Sequence, residues 1–320
     1  MIDFCILGSG VSGSTIANLL SRKYKIQVFD KARGPGGRAS NKRFKGNLSF
    51  DHGVQYISPE TKEFKKFIAT LHKKNVLKIW NGNHLDLTFQ KKTMNKKFIG
   101  RNGNNAISKF LLKGIKQSYS SQIKKIIFKK NFWELKLAGG ETHHARSIIL
   151  TLPHPQLKKL AKRYLIKRLL KQKINMEPNI TTMIAIKNQN QIPISSIRFN
   201  NEIVAWAANE NSKKRFKSSF NLWTIQSSTN WAKKNINNYK KKKSVEDSLI
   251  ANFLSLTGYE KNKIIFKKTH GWKYSYNFKG SSIKSYWDKK YRLGVCADWL
   301  VGSKVESAWI SANDLNKKIK

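Results

Sequence analysis

Six residues near the start of the chain, Gly8-Ser9-Gly10-Val11-Ser12-Gly13, have the spacing of a turn that receives a diphosphate. Gly8 permits the tight turn, Gly10 lets the backbone approach the phosphates, and Gly13 allows a helix to pack closely on a strand. A helix starting at that turn points unpaired N–H groups at the same anion. Asp30 stands where a second strand would end, and a carboxylate there accepts hydrogen bonds from ribose hydroxyls while repelling a 2′-phosphate. This motif alone does not separate NAD from FAD. The other chemistry-bearing residues show no such order. His52, His143, His144, His154 and His270 lack metal-ligand spacing, so no metal is expected. No Ser/His/Asp or Cys/His grouping suggests a nucleophile. Trp206, Trp223, Trp231 and Trp272 could line a pocket, but each reads first as core.

The elements that must position these residues follow from hydrophobic periodicity. A buried strand over 3–7, a helix over 12–22 and a strand over 25–30 make a βαβ opening around the glycine turn. A polar, glycine-rich loop runs from Lys31 to Arg43, and Phe50 to Ile57 reads as extended. Phe64, Phe67, Ile68 and Leu71 recur at helical spacing within 61–74. Short strands are expected at 76–80 and 85–89, a helix at 105–115, and strands at 123–128, 132–137 and 147–152. The middle third alternates strands (180–186, 203–208, 222–226) with helices near 231–243 and 245–256. The lysine run Lys240 to Lys243 is expected at a solvated helix end. A strand over 293–297 then leads to a helix with Val305, Ala308, Trp309, Ala312 and Leu315 on one face.

Beyond the first glycine turn, Asp30-Lys31-Ala32-Arg33-Gly34-Pro35-Gly36-Gly37-Arg38 resembles the second signature of the amine-oxidase-like FAD proteins. Its glycines bring backbone near the diphosphate and Arg38 neutralises it. Val295-Cys296-Ala297-Asp298, followed by Gly302 through Trp309, resembles the C-terminal FAD motif of that superfamily. There an Asp holds the ribityl chain and a helix N-terminus, here near Val305, faces the flavin. The three blocks in this order resemble the renalase-like branch. Phe50-Asp51-His52-Gly53-Val54-Gln55-Tyr56 is similar to its D-x-G-A-Q-Y segment. Phe98-Ile99-Gly100, Asn104 to Ile107, Thr151-Leu152-Pro153 and His270-Gly271-Trp272-Lys273-Tyr274 also match bacterial relatives. The sequence departs at Ala297 and Ser307, where relatives carry Gly, and at Lys304, where bacterial ones carry Arg.

The resemblance implies an α/β fold: a Rossmann-type FAD-binding domain of the glutathione-reductase/amine-oxidase kind, with a substrate domain of mixed sheet plus helices. Residues 1–58, 99–153 and 265–320 are expected to form the first, and 59–98 and 154–264 the second. The expected cofactor is non-covalent FAD, held by Gly8, Gly10, Val11, Ser12, Gly13, Asp30, Lys31, Gly37, Arg38, Gln55, Tyr56, Asp298 and Val305. Catalysis is expected to centre on the flavin, with no catalytic side chain. The implied activity is oxidation of dihydro isomers of NAD(P)H, with electrons passing to O2 as H2O2. One alternative is oxidation of an amine or another CH–NH or CH–CH donor, since fold does not fix substrate. A second is a flavoprotein with a polyanion-binding surface.

That second alternative arises from charge. Lys and Arg number 63 against 18 Asp and Glu, a net +45. The lysines are scattered through nearly every segment, and Asn and Ile are abundant. This pattern fits a solvated basic surface better than a selected nucleic-acid or anionic-membrane site, and such a surface attracts anionic ligands. At 320 residues, with nine Trp, the chain can bury a full core. No apolar run is long enough to cross a bilayer. Ile2 to Leu7 leads straight into the glycine turn without a cleavable segment, and the two cysteines, Cys5 and Cys296, read as buried core. These features imply a cytoplasmic protein.

Overall fold

Phe4 to Leu7 are buried in succession, as a strand covered on both faces requires. The computed structural model describes residues 1–88, 91–92, 96–171 and 174–319. Strand Ile2–Leu7 pairs in parallel with Ile26–Phe29 on one side and Thr142–Leu150 on the other. Lys116–Ser118 extends the parallel sheet beyond Ile26–Phe29, and Leu293–Val295 beyond Thr142–Leu150. The helices Val11–Leu20 and Val305–Ile319 cover one face through Ile16, Ala17, Leu20, Ala312 and Leu315, packed on Phe4, Ile6 and Val28. Each of the larger side chains, Ile and Leu, stabilises the fold by about 1.5–3 kcal/mol. The other face is covered by 154–170, whose Leu157, Ala161, Tyr164 and Leu169 pack with Leu7, Trp133 and Leu150.

A second sheet runs in the order Ile264–Asn277, Met176–Ile186, Asn221–Ser227, Val204–Asn209, Ser196–Arg198, His84–Asp86, Lys91–Lys92. Its outer face carries Ile180, Ile184, Ile225 and Ala207 and is covered by helix Lys243–Thr257 through Leu249, Ile250 and Phe253. The other face turns toward the first domain.

Packing moves two of the expected domain boundaries. Residues 154–171 bury their apolar side chains against the first sheet, not the second. Strand Ile264–Asn277 belongs to the second sheet, so the chain returns to the first domain after Asn277 and not at 265. Helix 62–73 also packs on Ile107, Leu111 and Trp309, elements of the first domain. Sequence periodicity shows that a face is apolar, not which of two cores receives it. Three local expectations are also revised. Regular strand in the Phe50 region stops at Asp51. The helix expected to reach 243 ends at Asn235. Lys240 to Lys242 therefore lie between two helices, and Lys243 begins the next. The strand expected over 85–89 is seen as His84–Asp86, and Phe89 lies outside the described residues. Among the described residues no helix is long and apolar enough to cross a membrane.

Candidate functional site

The glycine turn joins Leu7 to Val11, and Gly13 is there for packing: a Cβ on it would lie 1.9 Å from the Gly8 carbonyl oxygen. Gly10 is different. Its backbone is ordinary (φ −68°, ψ −177°), and a Cβ would approach no protein atom closer than Gly37 Cα at 3.8 Å. Neither strain nor packing requires glycine at this position. Gly36 N donates to Ser9 O at 3.0 Å, so the second glycine block is bonded directly to the first. Gly36 has φ +125°, a conformation that favours glycine. Asp30 ends the second strand, and its Oδ2 accepts from Ser9 N at 2.7 Å and Ser9 Oγ at 2.6 Å.

The third block returns to the same place. Arg38 Nη2 donates to Asp298 Oδ1 at 2.7 Å, and Nη1 to Ser275 O at 2.9 Å. Ser12 Oγ donates to Ala308 O at 3.0 Å. Val11, Ala39, Val54, Val305 and Ala308 form one small apolar cluster. Residues from all three blocks and from the 50–56 segment therefore converge. Of the expected cofactor residues, Lys31 is exposed to solvent, while Gln55 and Tyr56 turn toward Lys213 and Trp206 on the second domain. Ala297 N donates to Ser311 Oγ, and Lys304 pairs with Glu60.

The inward face of the second sheet presents a row that sequence reading did not find. His270 lies opposite Thr181, Thr181 opposite Gln226, Gln226 opposite Trp206, Trp206 opposite Arg198, and Arg198 opposite Asp86. Directly paired residues share a face, so these six line one side across six strands. Segment 52–56 crosses that row. His52 packs on His270 at 5.2 Å between ring centroids, Gln226 Nε2 donates to Gly53 O at 2.8 Å, and Tyr56 faces Trp206 at 5.9 Å. Trp272 Nε1 donates to His52 O at 2.9 Å. Thus Trp206 and Trp272 stand at the junction of the two domains, whereas Trp223 and Trp231 belong to the outer core.

Cations sit on the rings of this junction. Lys97 Nζ is 5.3 Å from the Tyr56 centroid, and the Arg198 guanidinium is 5.6 Å from that of Trp206. Arg198 also pairs with Asp86 at 3.3 Å. Trp206 Nε1 is buried without a hydrogen-bond partner. Burial, with His270 nearby, pushes the His52 imidazole down to about 4; burial and Lys240 lower His270 as well.

Behind Tyr56 lies a wholly buried group of charges. Lys213 Nζ is 2.9 Å from Asp51 Oδ2 and 2.9 Å from Glu210 Oε2, and Arg215 Nη1 is 2.5 Å from Asp51 Oδ2. Asp51, Glu210 and Lys213 side chains are fully inaccessible. Burial alone would raise the Asp51 pKa, but Arg215 and Lys213 outweigh it and hold the carboxyl well below the usual range. Gln55, expected at the cofactor, has its amide engaged within the protein: Nε2 donates to Asp51 O and Gly53 O, and Oε1 accepts from Lys213 at 3.3 Å. Nothing in the spacing of Asp51, Glu210, Lys213 and Arg215 marks them as neighbours, and in so basic a sequence two more cations carry no signal.

Residues 6–71 match the family model of the NAD(P)-binding Rossmann-like domain. Renalase from Mus musculus is 28% identical over 166 residues, 48% of this chain and 48% of that protein. The match thus spans about half the length of that curated relative. Among solved structures, a protein from Exiguobacterium sp. 255-15 described as a protoporphyrinogen oxidase superposes with a TM-score of 0.74 at 10% identity, covering 99% of this chain and 98% of that one. Putrescine oxidase bound to putrescine gives 0.69 at 10% identity over the same shares. The chain therefore shares the overall fold of these two oxidases, matches an NAD(P)-binding Rossmann-like model over residues 6–71, and is similar in sequence to renalase over about half its length.

Proposed function

We propose that the protein is a FAD-dependent oxidase that takes a hydride from dihydro isomers of NAD(P)H. When bound, non-covalent FAD would accept that hydride and return the electron pair to O2, so that donor, proton and O2 become an aromatic nicotinamide and H2O2. Gly10 supports the cofactor reading most directly. A glycine that neither strain nor packing demands is explained by a ligand approaching its backbone. The turn from Gly8 to Gly13, with Val11, Ser12 and Gly37, would hold the diphosphate. Asp30 would hold the adenosine ribose, with Lys31 at its outer edge. Arg38 would neutralise the diphosphate, Asp298 would hold the ribityl chain, and Gln55, Tyr56 and Val305 would flank the flavin.

The donor reading rests on the cations over Tyr56 and Trp206. An amine oxidase offers open aromatic faces to an ammonium. Here Lys97 and the Asp86-paired Arg198 already occupy the faces of those rings, so neither face is open to an amine. The imidazoles agree. Loss of hydride from a dihydropyridine gives an aromatic cation directly and needs no base, and His52 at about 4 is a poor base near neutrality. Two fully buried free cysteines fit a cytoplasmic setting. Purified protein, made anaerobic and mixed in turn with NADH, its dihydro isomers and primary and secondary amines, tests the assignment. Bleaching by an isomer supports it, and bleaching by amines alone overturns it.

A further inference from the structure

We infer that Lys213 is a positioning residue of this site, an inference that rests on the reading of the domain junction as the place where donor meets flavin. The ammonium is completely buried and touches Asp51, Glu210 and the Gln55 side chain. Gln55 passes that hold back along the chain, because its amide donates to the carbonyls of Asp51 and Gly53. One cation from the second domain thus grips a first-domain segment at both Asp51 and Gln55. Tyr56 follows at once, facing Trp206. Glu210 anchors the ammonium from its own domain and is held by Thr224 Oγ1 at 2.8 Å. Asp51 is fixed separately, its Oδ1 accepting from Asn104 N at 2.9 Å. With both carboxyls ionised the charges balance, two against two, Lys213 and Arg215 opposing the burial that pushes Glu210 up. Well-packed apolar residues of similar volume often stabilise an interior as well as such a cluster does. What this one adds is a fixed path for residues 51–56 across the inward row of the second sheet.

Lys213→Met alone leaves two buried carboxyls, Asp51 and Glu210, to share Arg215, and is expected to unfold or express poorly. The informative protein is the double variant Lys213→Met/Glu210→Gln, which keeps Asp51 with Arg215 and restores neutrality. It should retain the FAD affinity of the parent within about twofold, since the glycine turns are held by Ser9, Asp30 and Gly36 without Lys213. Hydrogen exchange in a peptide spanning 52–58 should accelerate. The saturating rate of flavin reduction by borohydride-reduced NAD, a mixture of dihydro isomers, should fall on the order of 10- to 100-fold. Unchanged exchange in 52–58 would overturn the proposal whatever the donor proves to be. Faster exchange with a parental reduction rate would overturn it too, as would loss of FAD affinity in step with the rate. A parent that no dihydro isomer bleaches is a different result, and counts against the donor assignment.

Discussion

Arg38 and Asp298, 260 residues apart in sequence, form an ion pair of 2.7 Å that ties the second glycine block to the last one. The same guanidinium reaches Ser275 O on the second sheet, so a single side chain joins both ends of the first domain to its neighbour. Arg38→Ala should weaken FAD binding by about 2–4 kcal/mol, because it removes a charge-assisted contact and leaves Asp298 unpaired. Fluorescence titration of apoprotein with FAD measures this. An affinity equal to the parent's would show that Arg38 serves only the domain contact.

The two glycines of the first turn should separate folding from binding. Gly13→Ala drives a methyl into the Gly8 carbonyl and should lower the thermal midpoint of the apoprotein sharply. Gly10→Ala meets no protein atom within 3.8 Å, so the apoprotein should melt close to the parent while FAD binding is largely lost. Equal effects of both substitutions on melting, with FAD retained in Gly10→Ala, would remove the main support for the diphosphate site.

The flavin should be released intact by acid. Cys5 and Cys296 are fully buried, their thiols pushed up by desolvation, and both lie within the apolar cores of the first sheet. Neither is placed to bond a cofactor. Acid precipitation should give a yellow supernatant, and a yellow pellet would refute this.

His52 should make the fold sensitive to mild acid. Its folded pKa of about 4 lies below the unfolded 6.5, so the unfolded chain takes up the proton first as pH falls. The stability this imidazole contributes is present above pH 6.5 and is lost progressively toward pH 4. The full loss is on the order of 3 kcal/mol. His84, His154 and His270 are lowered too and act in the same direction. His52→Phe should flatten the dependence between those limits in urea titrations. An unchanged slope would place the acid sensitivity elsewhere.

Much of the nucleotide half was legible because its signals are local. The glycine spacing, Asp30 and the apolar strands all lie within thirty residues, and the structure places them at one turn. Helix 62–73, with Thr61 Oγ1 capping it at Phe64 N, falls within a residue or two of its periodicity. The junction was opaque for the opposite reason. Trp206, Gln226 and His270 share a face only through the register of three separate strand pairs. Lys213 meets Asp51 across 162 positions. Resemblance places Gln55 at the cofactor but gives no sign that its amide is held by Lys213 and two carbonyls. Which core an amphipathic helix serves, as for 154–161, depends on the finished topology and not on its pattern.

On the proposed function, a dihydronicotinamide isomer gives up hydride at a site that needs no base and favours anions. Anaerobic stopped-flow reduction, followed at the flavin absorbance against pH and salt, tests it most directly. The saturating rate should change little between roughly pH 6 and 9, whereas amine oxidation should rise as the neutral amine forms. Apparent affinity for the dinucleotide should weaken with added salt, given the net charge of +45, while the saturating rate should not. A steep rise of rate with pH, or fast bleaching by an amine and none by any dihydro isomer, would contradict the account.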